Sequence, residues 1–190
     1  MREKEYKFVL NQEEFMKIVY LLGMFYPNAR MQTIVQTSHY YDTSYLMLFH
    51  KGDTLRIRES GGVCRIEIKR FVSESGELRI CEKSGYEIDT VPELLHGSQF
   101  EALGDVAYKR IGELHTVRRR FQLPGGIFID CDENTYLSTT DYEIEVEIGQ
   151  VFPYGFLGEL VSKYKNQKPR PKYARFVEEF LMQSVGRHEI

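Results

Sequence analysis

The sequence predicts an α+β protein in which about eight antiparallel strands form a barrel or a strongly curved sheet, with helices packed outside. Three observations carry this reading. Much of the 190-residue chain falls into short segments that alternate apolar and polar residues, the period-2 pattern of half-buried strands. Two pairs of such segments flank glycine-centred turns, which marks β-hairpins. Helical spacing is confined to a few segments between the strands, as expected where helices cover a sheet.

Residues 3–9 alternate charged and apolar side chains and read as the first strand. Asn11, three residues before Glu14, fits a helix N-cap, and Phe15, Ile18, Val19 and Leu22 follow at helical spacing. Thr33–Tyr41 is rich in β-branched and aromatic residues and reads as a strand. Asp42 or Thr43 can cap a short helix over Ser44–His50 that Gly52 ends. Thr54–Glu59 and Val63–Phe71 form one hairpin around Ser60-Gly61-Gly62. Leu78–Lys83 is a weaker strand after the acidic loop Ser73–Glu77, and Pro92–Leu103 reads as a helix interrupted at Gly97. Val117–Leu123 and Ile127–Asp132 form a second hairpin around Pro124-Gly125-Gly126. Tyr142–Ile148 is the last strand. Phe156–Tyr164 and Tyr173–Val185 are helices separated by Lys168-Pro169-Arg170-Pro171.

A mass of 22.4 kDa suits a single domain spanning residues 1–190. The net charge of −3 and pI of about 6.0 rule out bulk attraction to polyanions, so a basic site has to be local. That balance argues against nucleic acid as the partner, and Arg118-Arg119-Arg120 lies inside a strand pattern that turns Arg119 away from its neighbours. Cys64, Cys81 and Cys131 are odd in number and widely spaced, which indicates neither a disulfide framework nor a zinc ribbon. The five histidines lack metal-ligand spacing, and Tyr40-Tyr41-Asp42 reads as strand-end packing followed by a helix cap. The charged N-terminal segment has no signal-like apolar run, and Ile18–Tyr26 is too short to span a bilayer, so a cytoplasmic location is expected. No P-loop, dinucleotide-binding or hydrolase-elbow motif is present.

The informative feature is how charge is sorted among strands. Side chains at i and i+2 share a strand face. Glu3, Glu5 and Lys7 align in this way, as do Arg56 with Arg58, Arg65 with Glu67 and Lys69, and Arg118 with Arg120. Asp130 aligns with Asp132, and Glu143 with Glu145 and Glu147. A solvated face usually mixes signs, because like charges on one side repel. A wide barrel can instead turn a charged face inward. Clustered carboxylates recruit a hard divalent cation, and clustered arginines and lysines hold phosphate oxygens. Together they call for a metal-chelated polyphosphate.

Glu3-Lys4-Glu5-Tyr6-Lys7 resembles the E-x-E-x-K signature that opens the CYTH superfamily, also called triphosphate tunnel metalloenzymes. Tyr40-Tyr41-Asp42-Thr43, Leu55-Arg56-Ile57-Arg58, Ile66-Glu67-Ile68-Lys69, the Arg118–Arg120, Asp132 and Glu143–Glu145 strands, and Lys172-Tyr173-x-Arg175 resemble later family blocks in family order. The chain looks most like small bacterial members. The resemblance implies an eight-stranded antiparallel barrel around a charged tunnel and a Mg²⁺- or Mn²⁺-dependent triphosphatase. Its substrate would be a small molecule, inorganic tripolyphosphate or an organic triphosphate. An adenylate cyclase and a non-catalytic polyphosphate- or nucleotide-binding module are the alternatives. By the same resemblance Glu3, Glu5, Glu143 and Glu145 look like metal ligands with Asp132 in support. Glu145 with Glu147 is the alternative metal pair. Lys7, Arg56, Arg58, Lys69, Arg118, Arg120 and Lys172 look like phosphate binders, and Lys69 joins the four glutamates as a catalytic candidate. The family often has a glycine before the last acidic strand, whereas Leu137–Asp141 has none.

Overall fold

The structure is a computed structural model that describes residues 2–75, 78–100, 103–148 and 155–186; the side chains of residues 2–4, 72–75, 78–83 and 185–186 lie outside the described set. In chain order the elements are β1 (Arg2–Leu10), α1 (Gln12–Phe25), β2 (Arg30–Asp42), α2 (Met47–Lys51), β3 (Thr54–Ser60), β4 (Val63–Ser75) and β5 (Leu78–Ile88). There follow β6 (Leu94–His96), β7 (Ala107–Leu123), β8 (Ile127–Tyr136), β9 (Thr139–Glu147), α3 (Gly155–Tyr164) and α4 (Lys172–Gly186). The fold is α+β, built on one antiparallel sheet of nine strands in the order β2-β3-β4-β5-β1-β9-β8-β7-β6. β2 also pairs with β7, from Arg30 opposite Gln122 to Asp42 opposite Lys109. Every strand except β6 is therefore bonded to a neighbour on each side.

Alternation along the strands divides the sheet into two faces. One is apolar and forms the main core. Tyr6 and Phe8 of β1, Ile129 of β8 and Ile144 and Val146 of β9 pack there against Phe15, Ile18 and Leu22 of α1 and Leu157, Leu160 and Val161 of α3. Leu55 and Ile57 of β3 join Ile66, Ile68, Tyr41 and Leu95 in a second cluster. Each fully buried side chain of this kind contributes about 1.5–3 kcal/mol. The α1 spacing buries one stripe, and Asn11 caps it by accepting the Glu14 N–H.

Helix α4 packs on the opposite face, where the charges are. Tyr173, Phe176 and Val177 bury against Tyr40, Leu114 and Tyr136. Gly112 makes this possible. It sits beside a register shift between β2 and β7, and a Cβ there would stand 2.6 Å from the Phe176 ring. The glycine thus lets α4 come down onto the sheet.

The sheet has one strand more than the expected eight, because Pro92–Leu103 does not form a helix. It enters as β6, burying Leu95 between exposed Leu94 and His96, and continues into a single turn at Gly97–Gln99. A Cβ on Gly97 would lie 2.4 Å from the Gly104 carbonyl oxygen, so close backbone approach rather than helical spacing decides this segment. β7 starts ten residues ahead of the expected Val117, and β5 runs on to Ile88. Strand β4 continues through Ser75, where a loop was expected from Ser73; residues 76–77 lie outside the described set.

Candidate active site

The sorted charges come together on the face opposite the main core. They line a cavity of about 120 Å³ whose walls include Glu5, Lys7, Arg56, Arg58, Glu67, Lys69, Arg118, Arg120, Asp130, Glu145, Glu147 and Lys172. Strand register sets their neighbours. Lys7 lies opposite Glu145, Arg56 opposite Glu67, Arg118 opposite Asp132 and Arg120 opposite Asp130. The apolar residues between them, such as Ile57 and Ile144, anchor the outer face, so strand alternation itself pins each charge inward.

An acidic centre lies at the α4 end. One oxygen each from Asp132, Glu143 and Glu145 falls within 4.8 Å of the others, and Asp132 and Glu143 are fully buried. The Lys172 ammonium, delivered by the first turn of α4, donates to Asp132 at 2.7 Å, Glu143 at 2.5 Å and Glu145 at 3.2 Å. Lys7 reaches Glu143 at 2.9 Å and also bonds Glu145. Arg118 forks onto Asp132 at 2.7 and 2.6 Å and reaches Glu145 at 2.9 Å, while Arg175 donates to the second Glu143 oxygen at 2.7 Å. Burial opposes the charge on Lys7 and Lys172, but the surrounding carboxylates outweigh it and hold both pKa values above the ordinary lysine value. Burial would likewise raise the carboxyls of Asp132 and Glu145, yet Lys172 first among their neighbours holds both below the usual carboxylate range, Glu145 well below. Each charge of the centre thus has an opposite partner within reach.

The opposite wall is basic. Arg56 donates through Nε and a terminal nitrogen to one Glu67 oxygen at 2.9 and 2.7 Å, and Arg58 lies 3.3 Å from that same oxygen. Lys69 contacts Glu5 at 3.4 Å, and Arg120 forks onto Asp130 with two contacts of 2.7 Å. Two polar groups here are buried with no hydrogen-bond acceptor among the described residues: Arg58 Nε and the Tyr40 hydroxyl, whose oxygen faces the Arg56 guanidinium. Buried donors are almost always satisfied, so these two stand ready for an acceptor that the protein itself does not supply.

Lys7, Arg56, Arg58, Lys69, Arg118, Arg120 and Lys172 share this cavity with Glu5, Glu145 and Glu147. Asp132 and Glu143 lie at full depth beside it, under Lys172. Glu3 is on β1, two residues before Glu5, but its side chain lies outside the described residues. Glu147 lines the cavity, whereas the acids that converge among the described residues are Asp132, Glu143 and Glu145. Sequence reasoning set Tyr40 aside as packing. Its ring does pack on Tyr173 and Phe176, yet its hydroxyl belongs to the cavity residues. Asp42 does cap α2, accepting from Leu48 N and Phe49 N at 3.0 Å each. Arg175 also went unread as a partner of Glu143. Its i+3 spacing from Lys172 on α4 was the available signal.

Three comparisons bear on this arrangement. Residues 1–151 match the family model described as the CYTH domain. No curated protein matches the chain in sequence. Among solved structures, a candidate adenylyl cyclase from Hippeastrum, described as having a dominant triphosphatase activity, superposes with a TM-score of 0.69 at 22% identity, covering 93% of this chain and 96% of that one. A candidate adenylate cyclase from Bacillus halodurans gives 0.65 at 21% identity, covering 90% and 95%. A Pyrococcus horikoshii protein gives 0.58 at 20% identity, covering 93% and 98%. At these identities the likeness is one of fold. No helix among the described residues is long and apolar enough to cross a membrane.

Proposed function

The chain belongs to the CYTH family, and from that premise we propose that it is a metal-dependent hydrolase of a linear triphosphate, with residues 1–190 as one domain. Eight of its strands close into a barrel and hold the substrate in the charged cavity. Support for closure comes from the pairing of β2 with β7, which joins the two ends of the run β2-β3-β4-β5-β1-β9-β8-β7.

The observation that carries the reading is the pair of unsatisfied buried groups, Arg58 Nε and Tyr40 Oη, in a wall already rich in arginine and lysine. Phosphate oxygens are the acceptors that suit such a wall, since arginine grips two of them at once. Arg56, Arg58, Arg118, Arg120, Lys69 and Lys7 approach from several strands, which favours a chain of phosphates over a single one. Held this way, the polyanion is extended and oriented before any bond changes.

The donor set of Asp132, Glu143 and Glu145 fits a hard divalent cation. All its ligands are oxygens, and the site already accepts the positive charge of Lys172. Glu5 lines the same cavity and adds to its acidic side. Mg²⁺ or Mn²⁺ bound there would supply charge neutralisation at the phosphate oxygens. In hydrolysis a water oxygen bonds to a terminal phosphorus while the bridging P–O bond breaks, giving diphosphate, phosphate and one proton. The arginines stabilise the charge that develops on the leaving diphosphate, and Glu5 or Glu147 can orient the water through its hydrogens.

The test is a phosphate-release screen with tripolyphosphate, thiamine triphosphate and nucleoside triphosphates in Mg²⁺, Mn²⁺ or EDTA. The expected result is metal-dependent phosphate release. Cyclic AMP as the main product from ATP would replace hydrolysis by cyclisation, and tight binding without turnover would reduce the protein to a binding module.

A further inference from the structure

Strand register brings together two of the five histidines on the side of the sheet away from the charged cavity. Gln36 and Tyr40 of β2 line that cavity, so alternation turns Thr37 and His39 the other way. His39 lies opposite Glu113 of β7, and Thr37 lies opposite His115 of β7 and Glu59 of β3. The side chains meet in a row. Glu59 stands 3.5 Å from His39 Nε2, one Glu113 oxygen stands 3.3 Å from His39 Nδ1, and the other stands 3.3 Å from His115 Nε2. The geometry points to a second metal site, for a divalent cation of the zinc type, held by His39 Nδ1, Glu113 and His115 Nε2 with solvent as the fourth ligand.

His39 is the residue that calls for an ion. It is 6% exposed, and neither ring nitrogen has a hydrogen-bond partner among the described residues. Buried polar atoms are almost always satisfied, and a neutral imidazole carries a single N–H. Set between two carboxylates, such a ring turns a bare lone pair toward one of them, which repels unless a cation lies between. His115 meets the same condition. Its Nδ1 stands 3.1 Å from the Thr37 hydroxyl, and when that nitrogen donates, the Nε2 lone pair is left facing Glu113.

The distances suit zinc. Ligand bonds of about 2.0–2.2 Å at tetrahedral angles set neighbouring donor atoms about 3.3–3.6 Å apart, and Glu113 holds each histidine nitrogen at 3.3 Å. The outer partners are in place as well. A metal-bound imidazole donates its second N–H to a carboxylate or another acceptor, and Glu59 and Thr37 stand at those positions. Glu113 offers a different oxygen to each ring, so gathering both nitrogens around one ion takes a rotation. The Glu113 and His115 side chains are 48% and 56% exposed and can turn inward onto the buried His39. Two imidazoles and one carboxylate favour zinc over magnesium, which separates this site from the all-oxygen centre under Lys172. The ion would clasp β2 to β7 along their shared ladder.

The test titrates Zn²⁺ into the full chain in the presence of excess Mg²⁺, with free Zn²⁺ read by a chromophoric chelator and the histidine rings read by nitrogen NMR. Wild type should take up a Zn²⁺ that shifts the ring signals of His39 and His115. Glu113→Gln and His115→Gln change exposed side chains and should leave the fold intact. Each should raise the Kd for that Zn²⁺ at least about a hundredfold, because loss of an outer partner alone costs about 10–100-fold. Thr37→Val, which removes such a partner, should fall within that smaller range. Zn²⁺ should also raise the melting temperature of wild type and not that of His115→Gln. Equal Zn²⁺ affinity in wild type and both ligand variants, ring signals unmoved by Zn²⁺, or no Zn²⁺ bound by wild type would overturn the site. Phosphate release is not the readout, so each outcome is independent of the triphosphatase reading.

Discussion

Replacing Lys172 by methionine removes one ammonium from among three buried carboxylates while keeping most of the side-chain volume. In the native protein that ammonium stands 2.7, 2.5 and 3.2 Å from Asp132, Glu143 and Glu145. Without it, carboxylate oxygens up to 4.8 Å apart would repel by about 3.5 kcal/mol per pair at an effective dielectric of about 20, partly offset by Lys7, Arg118 and Arg175. Breaking a buried ion pair from one side costs about 3–5 kcal/mol. For a chain of this length that lowers the melting temperature by about 6–20 °C. A divalent cation can take the place of the lost charge. At one hundred times its Kd it returns about 2.7 kcal/mol, provided it binds only the folded state. The assay is calorimetric melting of both proteins in EDTA and across a Mn²⁺ titration. The expected outcome is a variant much less stable than wild type in EDTA that gains more from Mn²⁺ than wild type does. If Lys172→Met melts like the wild type in EDTA, or gains no more from the ion, the acidic centre is not a cation site held by Lys172.

The remaining predictions concern pH, turns and the seating of α4. The folded-state pKa values of Asp132 and Glu145 lie below their ordinary range, so the stability they add is present above about pH 4 and is lost as pH falls through the folded values. Lys7 and Lys172 are raised and keep their contribution until pH passes above about 10. The urea midpoint in EDTA should therefore be flat near neutrality and fall on strong acidification; a midpoint that rises below about pH 4 contradicts the ionised centre. Leu137 turns the β8–β9 hairpin at φ 51 with 45% exposure, so Leu137→Gly should stabilise by about 0.5–1 kcal/mol, read as a small rise in melting temperature. Gly112→Ala would press a methyl against Phe176 at 2.6 Å. It should cost about 1–3 kcal/mol and raise KM for tripolyphosphate by displacing α4, and with it Lys172; unchanged KM would uncouple the helix seat from the site.

Much of the site was legible because strand alternation is a local rule. Arg56 with Arg58, Arg118 with Arg120 and Glu143 with Glu145 had to share faces, and runs of like sign on one face made sense only if other strands supplied the opposite charge. The two tight hairpins followed from their glycines in the same way. What stayed hidden depended on contacts distant in sequence. Pro92–Leu103 carries apolar residues at helical spacing, but its course is set by the approach of Gly97 to the Gly104 and Val106 carbonyls, which no local pattern reveals. The first half of β7 breaks alternation at the Ile111-Gly112 register shift, so its strand character is lost where Phe176 needs the space. Tyr40 was obscured because one side chain does two things: its ring packs in the α4 cluster while its hydroxyl is left for the cavity. Register sets Asp132 opposite Glu143 and Glu147 opposite Phe128, a pairing between strands that no local pattern reveals.

On the proposed function, the basic wall should fit a chain of three phosphates better than a chain of two. Calorimetric titration of the wild-type protein in EDTA, where no turnover occurs, compares tripolyphosphate with diphosphate. Each charge-assisted contact is worth about 1.5–3 kcal/mol, so loss of even one with the shorter ion corresponds to at least about a tenfold difference in Kd. Tripolyphosphate should bind tenfold or more tightly, and Arg58→Lys should weaken it. Equal affinity for the two ions, or an Arg58→Lys variant that binds tripolyphosphate as well as the wild type, would contradict the claim that these strands converge to hold a triphosphate.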